Sequence, residues 1–299
     1  MDNDLFNQNL MKKLARDKDL QLNVTKHDLI KKHLSKLENG DFKSETSNYL
    51  YFYETILKEI LGYNLQENIL FDEKEEVGRG KSEFVLKNGD KKFMVVELKG
   101  SDSDLDKPQN RANDKRTPVD QAFDYAQHTG DIDWILVSNY NEFRLYNWHT
   151  KGKFISFTSD ELLEKDVFSY FMLSFSCYSH ISSGYADKLI QETILVEKKL
   201  EKNFYKLFHE TRLMLLKEIE ENNDLTREEA IHYAQLILNR YMFICFAEDI
   251  ENLLPSQLST QTLSKPIKDG DIGGTALWRR LNELFEYIDV GNEFKGISK

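Results

Sequence analysis

The chain has 299 residues, 40% hydrophobic and 30% charged, and carries a net charge of −11 at neutral pH. That is an ordinary globular composition with room for one large domain or two, and the acidic balance argues against a large independent DNA-binding surface. The charge is uneven: 24 acidic and 16 basic residues follow from Asp160 onward, against 27 and 24 before it. Any nucleic-acid contact is therefore expected in the first half, or in a part of the protein outside this chain. There is no apolar run long enough to span a bilayer and no signal-peptide pattern in MDNDLFNQNLMKK, so no membrane association and a cytoplasmic location are expected. Cys177 and Cys245 lie in apolar stretches without metal-ligand spacing, which predicts buried thiols.

In chain order, residues 1–40 are polar, with a short helical pattern from Thr25 to Leu37 that stops at Asn39-Gly40. Ser44 to Gly62 is the first strong helix, capped by Ser44 and ended by Gly62, with Tyr49, Phe52, Tyr53, Ile56, Leu57 and Ile60 on its apolar face. Glu45 shares that face, whereas Glu54 points the other way. Asn68 to Phe71 predicts a short strand. Two apolar runs, Ser82–Leu86 and Phe93–Leu98, then flank a turn containing Asn88-Gly89, a strong hairpin signal. Gly100 to Arg116 has no apolar period and reads as an exposed, mobile loop. Thr117-Pro118 opens a helix carrying Gln121 and Tyr125 on one face. A second hairpin follows, Trp134–Ser138 and Phe143–Tyr146, turning at Asn139–Asn141.

From Ser159 the pattern changes to long helices over Ser159–Phe175, Asp187–Glu221, Thr226–Asp249 and Thr275–Ile288, the third opened by the capping box Thr226-Arg-Glu-Glu229. The expected organisation is an N-terminal helical extension (1–40), an α/β sandwich domain (41–156) and an all-α domain (157–299).

The chemistry concentrates on the first hairpin. Glu97 and Lys99, two apart, share one face of a strand. Glu83 joins that face only if the loop has odd length, for instance Lys87-Asn88-Gly89, or if a bulge shifts the register. With the three-residue loop, Glu83, Val85, Phe93, Val95, Glu97 and Lys99 align. Two carboxylates and the Leu98 carbonyl then offer oxygen ligands to a hard divalent cation, and Lys99 can orient an attacking water. Gln121 and Tyr125 on the next helix can buttress the site or touch the scissile phosphate. Glu45 is either a dipole-stabilised first-turn residue or a further acidic group reaching the site.

The pattern Glu83, Glu97-x-Lys99, then Gln121-xxx-Tyr125 resembles the PD-(D/E)xK nuclease core. The stretches ETSNYLYFYETILKEILGYN, SEF…VVELKG, PVDQAFDYA, DWILVSNYNEFRLYN and, in the helical half, FYKLFHETRLMLLKEI, ILNRYMFICFAEDIENLLP and LWRRLNELFEYIDVGN resemble the N-terminal part of single-chain type IIG restriction–modification enzymes. The resemblance implies a restriction-endonuclease-like α/β sandwich followed by a helical connector. It implies a Mg²⁺-dependent endonuclease, tolerant of Mn²⁺, that cuts double-stranded DNA with Glu83, Glu97, Lys99, Gln121, Tyr125 and Glu45 as site residues. It also implies a C-terminal S-adenosylmethionine-dependent methyltransferase and a recognition domain beyond this chain, which is thus expected to be the N-terminal part of a longer protein, and transient dimerisation for double-strand cleavage. One departure stands out: Glu83, preceded by Ser82, occupies the usual aspartate position. The alternatives are an inactive nuclease-like scaffold and the nuclease region of a type I-like restriction subunit.

Overall fold

A mixed β-sheet organises the first two thirds of the chain. The structure is a computed structural model that describes residues 1–43, 45–70, 84–108, 115–150, 152–250, 253–255, 258–263 and 275–290. Its strands are β1 (Asp2–Asn3), β2 (Ile69–Leu70), β3 (Phe84–Asn88), β4 (Lys91–Leu98), β5 (Trp134–Ser138), β6 (Glu142–Asn147) and β7 (Phe154–Thr158), in the order β1-β7-β6-β5-β4-β3-β2. Every neighbouring pair is antiparallel except β4–β5. Parallel neighbours need a crossover.

Helices α1 (Gln8–Leu14), α2 (Val24–Glu38), α3 (Glu45–Tyr51) and α4 (Leu65–Asn68) precede that crossover, which is α5 (Pro118–Thr129). The helix expected to run from Ser44 to Gly62 continues past α3 as a π-helical stretch, Phe52–Ile60. After the sheet come α6 (Lys165–Phe175), α7 (Tyr185–Asn222), α8 (Arg227–Asp249), α9 (Leu258–Leu263) and α10 (Thr275–Val290). Among the described residues no helix is long and apolar enough to cross a membrane.

Period-two alternation sorts the sheet residues between two cores. Phe84, Leu86, Met94, Val96, Leu98, Leu136, Phe143 and Phe157 join Ile30, Phe52, Ile56, Phe168, Phe171 and Phe175 in the larger one. Val85, Val95, Ile135, Val137 and Tyr146 face the other way, onto Ala122 and Ala126 of α5.

The first hairpin differs from the three-residue loop expected at Lys87–Gly89. Asn88 pairs with Lys91, so the turn is Gly89-Asp90, and Gly89 takes φ 60° at the first central position, a conformation glycine enters at low cost. A bulge between Leu86 and Lys87 then shifts the register, because Lys87 pairs with Lys92 but Leu86 with Met94. Phe93 is the extra residue. It therefore packs into the larger core, 5.5 Å from the His180 ring, instead of sharing the face of Glu97. Beyond the bulge Val85 pairs with Val95, so Val85 shares the face of Glu97 by a different device than the three-residue loop, while Glu83, for which that parity was required, lies outside the described residues.

The chain divides into two compact units, Met1–Lys198 and Lys199–Lys299. The boundary expected at 156/157 falls inside the first unit, because Phe168, Phe171, Met172 and Phe175 of α6 complete the sheet's larger core. Residues 1–40 are likewise no separate extension: Leu5, Phe6, Met11, Leu20 and Ile30 belong to the same core, and β1 pairs with β7. β7 itself had no sequence counterpart among the expected strands. In the second unit Ile244, Leu258, Leu284 and Phe285 form a small core, and Glu248 accepts hydrogen bonds from the backbone N–H and hydroxyl of Ser259, joining α8 to α9. The Thr226–Glu229 capping box is formed. Cys177 and Cys245 are free and half-buried rather than buried.

Two histidines, the buried His33 and the half-buried His180, give the first unit a pH dependence. His33 Nε2 lies 2.7 Å from the Tyr140 carbonyl and His180 Nε2 2.8 Å from that of Ser174. A carbonyl only accepts, so each ring donates from Nε2. Burial disfavours the imidazolium, lowering His33 and pushing His180 down to about 4. The unfolded rings take up protons near pH 6.5. Stability is therefore complete above that pH and is lost as pH falls toward about 4. Urea unfolding between pH 7 and pH 4.5 should show a steep fall in midpoint that His180→Phe makes shallower; an identical slope in the variant would remove His180 from the account.

Candidate functional site

The carboxyl ends of the two parallel strands are the place to look, since open α/β sheets bind ligands there. Glu97 and Lys99 leave the end of β4 on the α5 side, opposite Leu98, whose side chain enters the larger core. Lys99 Nζ lies 2.5 Å from Glu97 Oε1, and the two residues are only 3% and 2% exposed. The Lys99 backbone N–H donates to the Ser138 carbonyl at 2.9 Å, extending the β4–β5 ladder one residue past Leu98. Taking both charges out of water costs several kcal/mol per ion before their attraction is counted, so this pair is not the surface ion pair that an E-x-K strand usually makes.

α5 covers the same face. Thr117 caps it, exchanging hydrogen bonds with Asp120 in a capping box, and Pro118 occupies the first turn. Gln121 is buried, Tyr125 is half-buried against the smaller core, and Ala122 and Ala126 let the helix approach β4 and β5 closely. The structure thus brings Gln121 and Tyr125 to the face that carries Glu97 and Lys99.

The start of α3 is anchored nearby. A Cβ on Gly100 would lie 2.5 Å from the Lys43 carbonyl oxygen, and the Ser101 N–H donates to the Phe42 carbonyl at 2.9 Å. Only glycine allows that approach. The backbone at Phe42–Lys43 therefore meets the end of β4, whereas Ser44 and the Glu45 side chain lie outside the described residues. Glu83 and Ser82 also lie outside them. Glu54 pairs with Lys58 at 2.9 Å on the exposed side of the helix.

The segment after Gly100 is not the uniformly exposed, mobile loop expected. Leu105 is 1% exposed within the smaller core, and the Asn139 side-chain amide donates to the Ser103 carbonyl at 2.8 Å. Asp106 accepts from Arg144 Nη1 at 2.7 Å and Nη2 at 2.8 Å. Residues 109–114 lie outside the described set.

Arg144, Asp106 and Glu142 were not among the residues the sequence singled out. A signal was present: in Phe143-Arg144-Leu145 the arginine alternates with two residues of the larger core, so strand period places it on the α5 side. The pairing Glu97↔Val137↔Arg144↔Ser156 puts Glu97 and Arg144 in one row across the sheet.

Among the described residues no group of three histidine, cysteine, aspartate or glutamate side chains could hold a metal ion. The donors at the strand end are oxygens, the Glu97 carboxylate and the Leu98 carbonyl, which suit a hard cation. Mg²⁺ keeps several waters and needs only one or two carboxylates. The second carboxylate that such an ion would call on, Glu83, lies outside the described residues. Comparison of the chain with protein-family models, with curated proteins and with solved structures finds no match.

The burial of the pair has a measurable consequence. Lys99→Met leaves the Glu97 charge without its ammonium and should destabilise by roughly 3–5 kcal/mol. Combining it with Glu97→Gln should recover most of that loss. A double variant no more stable than Lys99→Met in urea would show that the two groups are not coupled.

Proposed function

We propose that the chain is the metal-dependent endonuclease part of a restriction enzyme of the type IIG kind, with a PD-(D/E)xK fold, and that it hydrolyses phosphodiester bonds of double-stranded DNA. The observation that carries the reading is the buried Glu97–Lys99 pair at the carboxyl end of β4, beside the parallel partner β5 and on the face of the sheet that α5 covers. Strongly desolvated charges of opposite sign concentrate at reaction centres, where a dry environment strengthens every electrostatic contact.

In this reading Glu97, Glu83 and the Leu98 carbonyl hold Mg²⁺ or Mn²⁺, which supplies Lewis-acid polarisation of the phosphoryl oxygen and a water of lowered pKa. The Lys99 ammonium has three donors and no acceptor. With one directed at Glu97, the others are available to orient the attacking water and to stabilise charge building on the phosphoryl oxygens. Gln121 and Tyr125 supply a neutral amide and a hydroxyl on the same face, for fixing the strand without adding charge. Glu45, whose side chain lies outside the described residues, is read as a further acidic group of the site. The longer protein would add an S-adenosylmethionine-dependent methyltransferase and a target-recognition domain, work in the cytoplasm, and pair transiently to cut both strands.

One observation favours a second reading, an inactive scaffold of the same fold. Lys99 is already engaged by Glu97, and the 101–108 segment is pinned over this face by Asn139 and Arg144.

The two readings separate by metal binding and cleavage. The wild-type chain should bind Mn²⁺ and nick duplex DNA in Mg²⁺ or Mn²⁺. Glu97→Gln with Lys99→Gln buries no charge, so it should remain folded while cleavage falls at least ~100-fold, the scale expected for losing a transition-state group. Undiminished cleavage by that folded variant would end the nuclease assignment, and a wild-type chain that neither binds Mn²⁺ nor cuts would favour the scaffold.

A further inference from the structure

Arg144 is held in a way that leaves one end replaceable. Its side chain is 9% exposed and its guanidinium lies 5.1 Å over the Phe154 ring. Nε donates to Glu142 Oε1 at 2.6 Å, and Nη2 reaches Glu142 Oε2 at 3.2 Å. Phe154 and Glu142 belong to the sheet, so they fix the position of the group. The outer fork, Nη1 and Nη2, is closed by a different kind of partner. Asp106 comes from the loop, and its side chain is 69% exposed. An arginine fork accepts a carboxylate or a phosphate in the same two-point geometry. The two-point geometry makes this stronger than an ordinary surface ion pair, while the exposure of Asp106 leaves its place open to competition from another two-point anion.

The row across the sheet says which phosphate is in reach. Arg144 lies two strands from Glu97, about 10 Å at ordinary strand spacing. A duplex whose scissile phosphate approached Glu97 and Lys99 would bring a nearby phosphate of the same backbone toward the fork. We propose that the Arg144 fork is a DNA-phosphate contact of this site, and that Asp106 occupies it in the free protein, so that duplex DNA displaces the 103–107 segment as it binds. This rests on reading the site as a nuclease centre. It assigns the segment a role: a carboxylate mimic of the ligand, released by the ligand itself.

A purely structural Arg144–Asp106 pair makes a different forecast, since both partners then matter in the same direction. The test is binding of a fluorescent 30-base-pair duplex in metal-free buffer, where no cleavage occurs, across a salt series. Arg144→Gln should weaken binding about tenfold and lower the slope of log K against log salt by about one. Arg144→Lys keeps the charge but lacks the fork, so it should fall between and guards against a fold defect in the glutamine variant. Asp106→Asn should tighten binding, and hydrogen exchange at 103–107 in the wild-type chain should quicken when the duplex is added. Unchanged binding by Arg144→Gln, or weakening by Asp106→Asn to match it, would overturn the proposal. Cleavage assays keep it distinct from the nuclease reading. A chain that cuts DNA but binds it independently of Arg144 refutes only the contact. One that binds through Arg144 and never cuts refutes only the nuclease. Absence of any duplex binding refutes the contact.

Discussion

The pairing of β4 with its two neighbours is the constraint on which the rest of the site depends. β4 lies inside the sheet, hydrogen-bonded to β3 on one side and β5 on the other, and is buried on both faces from Phe93 to Leu98. In such a strand a slip of one residue exchanges the contents of the two cores. It would send Glu97 among Phe52, Phe84 and Phe143, where a carboxylate has no compensating partner, and expose Val96 to the polar side. The bulge at Phe93 prevents this by absorbing one residue at a point where its ring has somewhere to go, against His180 and Tyr63. Register, core composition and the position of the charged pair are thus one decision, taken within the hairpin.

Given that register, the electrostatics follow from burial. A glutamate and a lysine two apart on a strand project side by side, and closing water off from them makes their attraction strong and their separation expensive. The cover comes from α5 and from the 101–108 segment. Leu105 supplies the apolar part of that cover and Asp106 the polar latch. The same contacts that make the pair energetically consequential also bar a large substrate from it, so any activity at this place requires the cover to move. Opening it would withdraw Leu105 from the smaller core and release the Asp106 and Ser103 contacts.

Much of this was legible in the residues. The hairpin, α5 with its Thr117-Pro118 start, the second hairpin and the long helices all carry strong local signals, because caps, turn glycines and alternation act over a few residues. The parity condition on Glu97 also followed from period-two geometry. What escaped has a common cause. β7 is a short apolar run whose pairing with β6 and β1 is decided across the sheet. The place of α6 and of residues 1–40 in the main core is likewise set by packing between distant segments. Arg144 was read as part of an ordinary strand because its partner Asp106 lies 38 positions away in the sequence. The choice between a three-residue loop and a two-residue turn with a bulge turned on where Phe93 could be buried, which local propensity does not encode.

The segment read as a polar extension proves to support the site from behind. Tyr140, two residues past the end of β5, adopts φ 67°, a conformation uncommon for a bulky residue and one that surrounding structure must impose. Its carbonyl accepts from His33 of α2 and from the Ser159 hydroxyl, and its ring stacks on Phe42 at 4.7 Å. Phe42 in turn accepts the Ser101 N–H, and the next carbonyl, of Lys43, lies where a Gly100 side chain would be. A continuous set of contacts therefore runs from α2 through Phe42 to the exits of both parallel strands. Asn139, at the same turn, holds Ser103 on the opposite side. Strain at Tyr140 is tolerable because α2 and Phe42 over-determine it, and the turn it forces aims Asn139 at the covering segment. Residues 1–43 and the 101–108 segment are thus coupled directly, through the Ser101 N–H on the Phe42 carbonyl, and again through the Tyr140–Asn139 turn, which adds a hold from behind the sheet to the segment's own anchors at Leu105 and Asp106.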